Sequence, residues 1–239
     1  MSRFAPRLSI AAATAALAIA LPAHAGLLNT SFETTLVAVP NNSYVITDQS
    51  NVPGWFTTSS DRAIEIWDDG FSGLGYPGFP ITAYEGQQFA EINATQNAML
   101  YQDSTGIAAG QEVDFHFAHR GRSGVDTMRL TITDLGADGV FGSGDDTLLF
   151  GKEYSTGNLG WGYYTSAPES PIVALGYTLR FGYASVSEAS GDHTIGNFID
   201  AVDFGVGVLP VPEPGTYALM LGGLGAMSML LFSRRRRMP

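Results

Sequence analysis

Between residues 26 and 208 apolar side chains recur at every second position in short runs, and no stretch there sustains a helical period. Alternation of this kind places one set of side chains on each face of a strand. In Val113-Asp114-Phe115-His116-Phe117 the apolar residues share one face, with Asp114 and His116 on the other. Met128-Arg129-Leu130-Thr131-Ile132-Thr133 repeats the pattern, and so does the run from Tyr177 to Tyr183, with Leu179 and Phe181 inward and Arg180 outward. Gly, Asn, Asp, Ser and Pro separate the runs, as turns require. Many short strands broken in this way predict an all-β fold, a jelly-roll β-sandwich. There is no internal repeat.

Two stretches depart from the pattern, one at each end. From Pro214 to Ser233 no residue is charged, and Tyr217 to Phe232 is an apolar run followed by Arg234 to Arg237. Twenty residues of helix span ~30 Å, the thickness of a bilayer's hydrocarbon core. Pro214 suits a first helical turn, and the arginines would stay cytoplasmic. A single C-terminal hydrophobic helix is therefore expected. At the other end, Arg3 and Arg7 precede an Ala/Leu/Ile stretch from Leu8 to Leu21 and a small-x-small site, Ala23-His24-Ala25. That order predicts a secretory signal peptide over 1–25, with the mature chain starting at Gly26. The expected organisation is signal peptide 1–25, β-sandwich 26–208 and C-terminal signal 209–239.

Charge narrows the partners. The whole chain carries a net charge of -11. Six of its twelve basic residues and 22 of its 23 acids fall between 26 and 208, so that part is near −16. With Lys152 its one lysine and no basic stripe, the chain offers nothing to nucleic acid. Such a body suits divalent cations or neutral glycans better than anionic surfaces. With no cysteine, its stability rests on packing, hydrogen bonds and any bound metal.

Pro212-Glu213-Pro214, the apolar span and the arginine block, in that order, resemble the PEP-CTERM sorting signal of exported bacterial proteins. The resemblance implies recognition and cleavage by a membrane-embedded exosortase-type enzyme. The protein would be transiently anchored in the membrane, then released to the cell surface or an extracellular polysaccharide matrix. An ordinary tail anchor accounts equally well for the span and the arginines, but not for the Pro-Glu-Pro motif.

The body has landmarks of its own. Asn29-Thr30-Ser31-Phe32-Glu33, Val52-Pro53-Gly54-Trp55, the stretch Ala83 to Asn93, Tyr101-Gln102, Phe115 to Arg122 and Asn197-Phe198-Ile199-Asp200-Ala201-Val202 follow one another across it. Together they resemble galactose-binding-like carbohydrate-binding modules, except that Ala201 stands where a second Asp is common. The resemblance implies a jelly-roll sandwich and a structural Ca²⁺ bound by Glu33 and Asp200, oxygen ligands of the kind calcium takes. The alternative is that Asp200 braces a turn and Glu33 is solvated.

Other candidate chemistry is thinner. Asp134, Asp138, Asp145 and Asp146 share a glycine-rich connection, but its spacing is not that of an EF-hand, and turn chemistry explains it better. His116 and His119, three apart on a strand, fall on opposite faces and so cannot share a metal. Glu65, Glu91 and Asp114 could supply the carboxyl pair of a glycoside hydrolase, but the chain has neither G-x-S-x-G nor H-E-x-x-H. Glycan binding needs exposed rings flanked by polar groups. Trp67, Tyr76 and Trp161 are the candidate rings, with Arg120 and Arg122 either bonding sugar hydroxyls or pairing with Glu65 or Glu91. The alternative is that Trp55 and Trp67 are both core residues and the Arg–Glu contacts brace the sandwich; for Trp55 the core is the better reading.

These readings converge on a non-catalytic, exported surface or matrix protein that binds extracellular polysaccharide. A structural or adhesive matrix protein with calcium-dependent association is the alternative, and a glycan hydrolase a third.

Overall fold

A computed structural model describes residues 26–72 and 80–208. The predicted signal peptide, Tyr76, Pro212, Glu213, Pro214 and the apolar span 217–232 lie outside the described residues. Among those described, no helix is long and apolar enough to cross a membrane.

Twelve strands are seen among the described residues: β1 (Tyr44–Asp48), β2 (Phe56–Thr57), β3 (Ala63–Asp68), β4 (Gln88–Glu91), β5 (Met99–Ser104), β6 (Glu112–Arg120), β7 (Asp126–Asp134), β8 (Thr147–Thr156), β9 (Gly162–Thr165), β10 (Ile172–Val173), β11 (Leu179–Ser187) and β12 (Phe198–Gly205). A seven-stranded sheet runs β1-β3-β4-β12-β6-β10, with β9 also paired to β6. A five-stranded sheet runs β2-β5-β11-β7-β8. All pairings are antiparallel. The two sheets form the β-sandwich that the alternation predicts.

The inward set is the expected one. Val113, Phe115, Phe117, Met128, Leu130, Ile132, Leu179 and Phe181 are buried in one core cluster between the sheets. Each large apolar side chain so buried contributes roughly 1.5–3 kcal/mol. Trp55 stacks on Phe32 with ring centroids 4.8 Å apart and donates its indole N–H to the Asn29 carbonyl at 2.9 Å. Gly54, at φ +86°, permits this: a Cβ there would stand 2.6 Å from the Cβ of Leu28.

β12 changes parity along its length. Its pairing with β6 slips by one residue between Asp200 and Asp203, at Ala201, whose φ is +47°. The bulge lets Ile199 face the core on one side of the slip and Val202 and Phe204 on the other. Phe198 and Asp200 are thereby turned to the outer face of the seven-stranded sheet, where a second apolar cluster of Trp67, Ile81, Phe89 and Phe198 is buried.

Candidate functional site

The residues expected to meet a glycan gather on this outer face, but most are sealed into it. Trp67 is 0% exposed; Tyr44 stacks on it at 4.8 Å, and its indole N–H donates to Glu91 at 3.1 Å. Arg122 donates to both oxygens of Glu91, at 3.0 and 2.8 Å, and its guanidinium carbon lies 4.8 Å from the Trp67 ring. Of the two roles open to Arg122, ion pairing is the one realised. Arg120 is also buried and donates to the Asn158 carbonyl at 2.8 Å. Trp161 is half-buried, edge-on to Phe89 at 5.6 Å, with its N–H on the Thr82 carbonyl at 2.8 Å. Trp67, Arg120 and Arg122 are thus corrected from ligand-facing groups to internal braces. The sequence shows an aromatic or an arginine in an alternating strand, but not which face a loop later covers.

The calcium expected at Glu33 and Asp200 meets an unsuitable donor set. Glu33 Oε1 accepts the N–H groups of Gln87 and Gln88, both at 2.7 Å. Asp200 Oδ2 accepts those of Tyr84 at 2.8 Å and Glu85 at 2.9 Å, and Oδ1 that of Ala201 at 2.7 Å. N–H groups aim their positive ends at the lone pairs a cation would need. Among the described residues, no three acidic or histidine side chains converge as metal ligands would. The two carboxylates instead fasten the 84–88 turn, a bracing role already open to Asp200 in the sequence.

The 134–147 connection behaves as turn chemistry predicts. Asp134 accepts from the Gly136 N–H at 3.0 Å, Asp145 from Ala137 at 2.8 Å and Asp138 from Val140 at 2.8 Å. His116 and His119 lie apart. His119 is enclosed between Thr156 and Asn197, and burial lowers its pKa to about 4.

An open, chemically mixed surface lies instead on the outer face of the five-stranded sheet. Gly151, Thr131, Gly182, Tyr101 and Phe56 are register partners in one row across β8, β7, β11, β5 and β2. On one side runs the row Glu153, Arg129, Ala184, Met99; on the other, Leu148, Thr133, Arg180, Asp103. A groove of about 490 Å³ is lined by Arg129, Thr131, Leu148, Gly151, Lys152 and Glu153. Gly151 forms low floor, so the flanking side chains become walls.

Beyond Gly182 the central row is aromatic. Phe56, 44% exposed, stacks on Tyr101 at 5.7 Å. The Arg180 guanidinium lies 3.8 Å from the Tyr101 ring centroid and 4.8 Å from that of Phe141, itself 43% exposed. Asp103 holds Arg180 through two bonds of 2.7 Å, and Glu153 holds Arg129 at 2.6 Å. Each Arg–carboxylate pair sets N–H donors beside carboxylate acceptors, an arrangement suited to adjacent hydroxyls. The sequence carried one signal of this face, the outward set Arg129, Thr131, Thr133 and Arg180. Nothing in it told that set apart from the polar residues of other strands.

No curated protein is similar to the chain in sequence. Its fold is similar to that of a Stig cyclase, Fisc from Fischerella sp. TAU, at 18% identity and a TM-score of 0.50, over 77% of this chain and 97% of the cyclase. TmCBM61, solved with β-1,4-galactotriose, aligns at 17% identity and a TM-score of 0.44, over 74% of this chain and 95% of that module. A xylan-binding domain from CBM 22 aligns at 13% and 0.44, over 75% and 99%. Residues 210–237 match the family described as the PEP-CTERM protein-sorting motif. The chain is therefore an all-β sandwich carrying that sorting signal, the mark of an exported protein that ends at the cell surface.

Proposed function

We propose that this chain is a non-catalytic, polysaccharide-binding protein of the cell surface or extracellular matrix, and that it binds through the outer face of its five-stranded sheet. An exosortase-type enzyme cuts the sorting signal, and the apolar span 217–232 holds the chain in the membrane until then. The observation that carries the binding role is the row Gly151–Thr131–Gly182–Tyr101–Phe56, walled by two Arg–carboxylate pairs. Its rings supply stacking area and its pairs supply hydroxyl partners, a combination suited to a neutral or weakly charged glycan.

Co-sedimentation of the full-length chain with bacterial exopolysaccharide tests the reading. Binding that falls on the order of tenfold in both Phe56→Ala and Arg129→Ala, equivalent to about 1.4 kcal/mol, is the expected result. Absence of binding by the folded wild-type chain to any extracellular polysaccharide would overturn it.

A further inference from the structure

On the opposite sheet, Glu65 of β3 and Glu91 of β4 are direct register partners on the outer face, 3% and 0% exposed. Two carboxyl groups side by side out of water are costly unless one is neutral. The donors around them decide which. Glu91 Oε1 accepts from Arg122 Nη1 at 3.0 Å and Gly196 N at 2.6 Å; Oε2 accepts from Arg122 Nη1 at 2.8 Å and Trp67 Nε1 at 3.1 Å. Three donors, one of them a cation shared by both oxygens, favour the ionised form and leave Glu91 able to accept one more hydrogen bond. Glu91 is therefore the anion paired with Arg122, and Glu65 is left beside it as the second acid.

Among the described residues, the other elements packed around the pair place their cations on other partners. Its partner on β1 is Ile46, and Asp48 on that strand is paired with Arg62. On β12, Phe198 lies opposite Glu91, with Asp200 further along the same face. Beyond Phe198 on β6 is Arg120, which donates to the Asn158 carbonyl. After β6, Asp126 accepts the Arg122, Ala189 and Asn197 N–H groups. In the 188–197 connection Glu188 faces Asn93 and His193, and Asp192 feels the Arg122 charge.

We propose that Glu65 is a protonated carboxylic acid at neutral pH, hydrogen-bonded to the Glu91 carboxylate, and that this shared proton latches the end of the sandwich formed by the 120–126 and 188–197 connections. Burial first, and the Glu91 charge second, drive the Glu65 carboxyl upward from its ordinary value. Loss of the proton sets two buried anions against one arginine. The arginine and the Gly196 N–H that Glu91 holds tie β4 to those two connections, beside the bonds that Ile92 and Asn93 make to Asn197, Glu188 and His193, so alkaline solution loosens that end without freeing it.

The folded chain holds the Glu65 proton more tightly than the unfolded chain does. The stabilisation is thus complete below the ordinary carboxylate value of 4.5 and is lost as pH rises toward the folded value. Over that window the group lowers the folding equilibrium constant by up to about tenfold per pH unit. Thermal unfolding of the full-length chain and of Glu65→Gln between pH 5 and 10 reads this directly. The variant, with a neutral donor facing Glu91, should show a flatter profile and exceed the wild type at the alkaline end; equal slopes would overturn the latch. Asp200 stays in both proteins, so its titration cancels in the difference. The ¹³Cδ shift of Glu65 in the wild-type chain decides the matter even if the variant does not fold. A protonated shift at pH 7 supports the proposal, and titration near 4.5 overturns it.

Discussion

Arg180 is held flat over Tyr101, its guanidinium carbon 3.8 Å from the ring centroid, because Asp103 grips it through two bonds of 2.7 Å. Both partners come from β5, two residues apart, and so point from the same face of the same strand. The arginine is thus fixed before any ligand arrives, and little side-chain entropy is left to lose on binding. Arg180→Lys keeps the charge but removes the fork and the planar stack. We expect it to weaken polysaccharide binding roughly tenfold, or ~1.4 kcal/mol, with thermal stability lowered by about 1–2 kcal/mol, since the arginine side chain is only 12% exposed and gives up both its fork and its ring contacts. Affinity electrophoresis and a melting curve on the same sample check both halves.

Much of the architecture was legible in the sequence, while the candidate site was not. Period-two runs such as Val113–Phe117 and Met128–Thr133 specify strands and name their buried faces, and all six inward residues in them are in the core. Which outward face stays open is a matter of tertiary covering. Trp67 and Arg122 occupy outward positions, yet lie beneath Tyr44 and beside Glu91. Tyr101 and Arg180 occupy equivalent positions on the other sheet and stay partly exposed. The row that joins β8, β7, β11, β5 and β2 draws on segments as far apart in the chain as Phe56 and Gly182, and no local pattern sets that register.

The Arg122–Glu91 pair is a stability determinant. Arg122→Met leaves Glu91 buried with no cation beside it, held by the Trp67 and Gly196 N–H groups and the neighbouring Glu65 carboxyl. Removing one partner of a buried pair costs about 3–5 kcal/mol. Adding Glu91→Gln to Arg122→Met should recover part of that loss by removing the stranded charge. Urea denaturation of the three variants measures the coupling, and strictly additive effects would show that the pair does not act as a unit.

The N–H groups fastened to Glu33 and Asp200 lead to a prediction about calcium. The melting temperature of the wild-type chain should be the same in calcium and in chelator, since N–H groups already hold both oxygens of Asp200 and Oε1 of Glu33. Asp200→Ala should destabilise by about 1–3 kcal/mol for each amide left unsatisfied, with no rescue by added calcium. A calcium-dependent rise in the wild-type melting temperature would show that the ion displaces these N–H groups and restores the metal role.

His119 sets the acid limb of stability. Asn197 donates through Nδ2 to Ser185 Oγ at 2.8 Å, so its Oδ1 faces His119 Nε2 at 2.9 Å, which assigns the proton to Nε2. Nδ1 then accepts from Thr156 Oγ1 at 2.8 Å and has no room for a second proton unless that hydroxyl turns away. Burial, opposed by the Asn197 hydrogen bond, lowers the folded pKa from 6.5 to about 4. The unfolded chain therefore binds a proton that the folded chain refuses. The stabilisation is complete above 6.5 and is lost as pH falls toward 4, at up to about 1.4 kcal/mol per pH unit. His119→Gln, which cannot take up that proton, should flatten the acid limb relative to wild type across this window. An imidazole titration for His119 near 6.5 in the folded chain would remove the effect at its source.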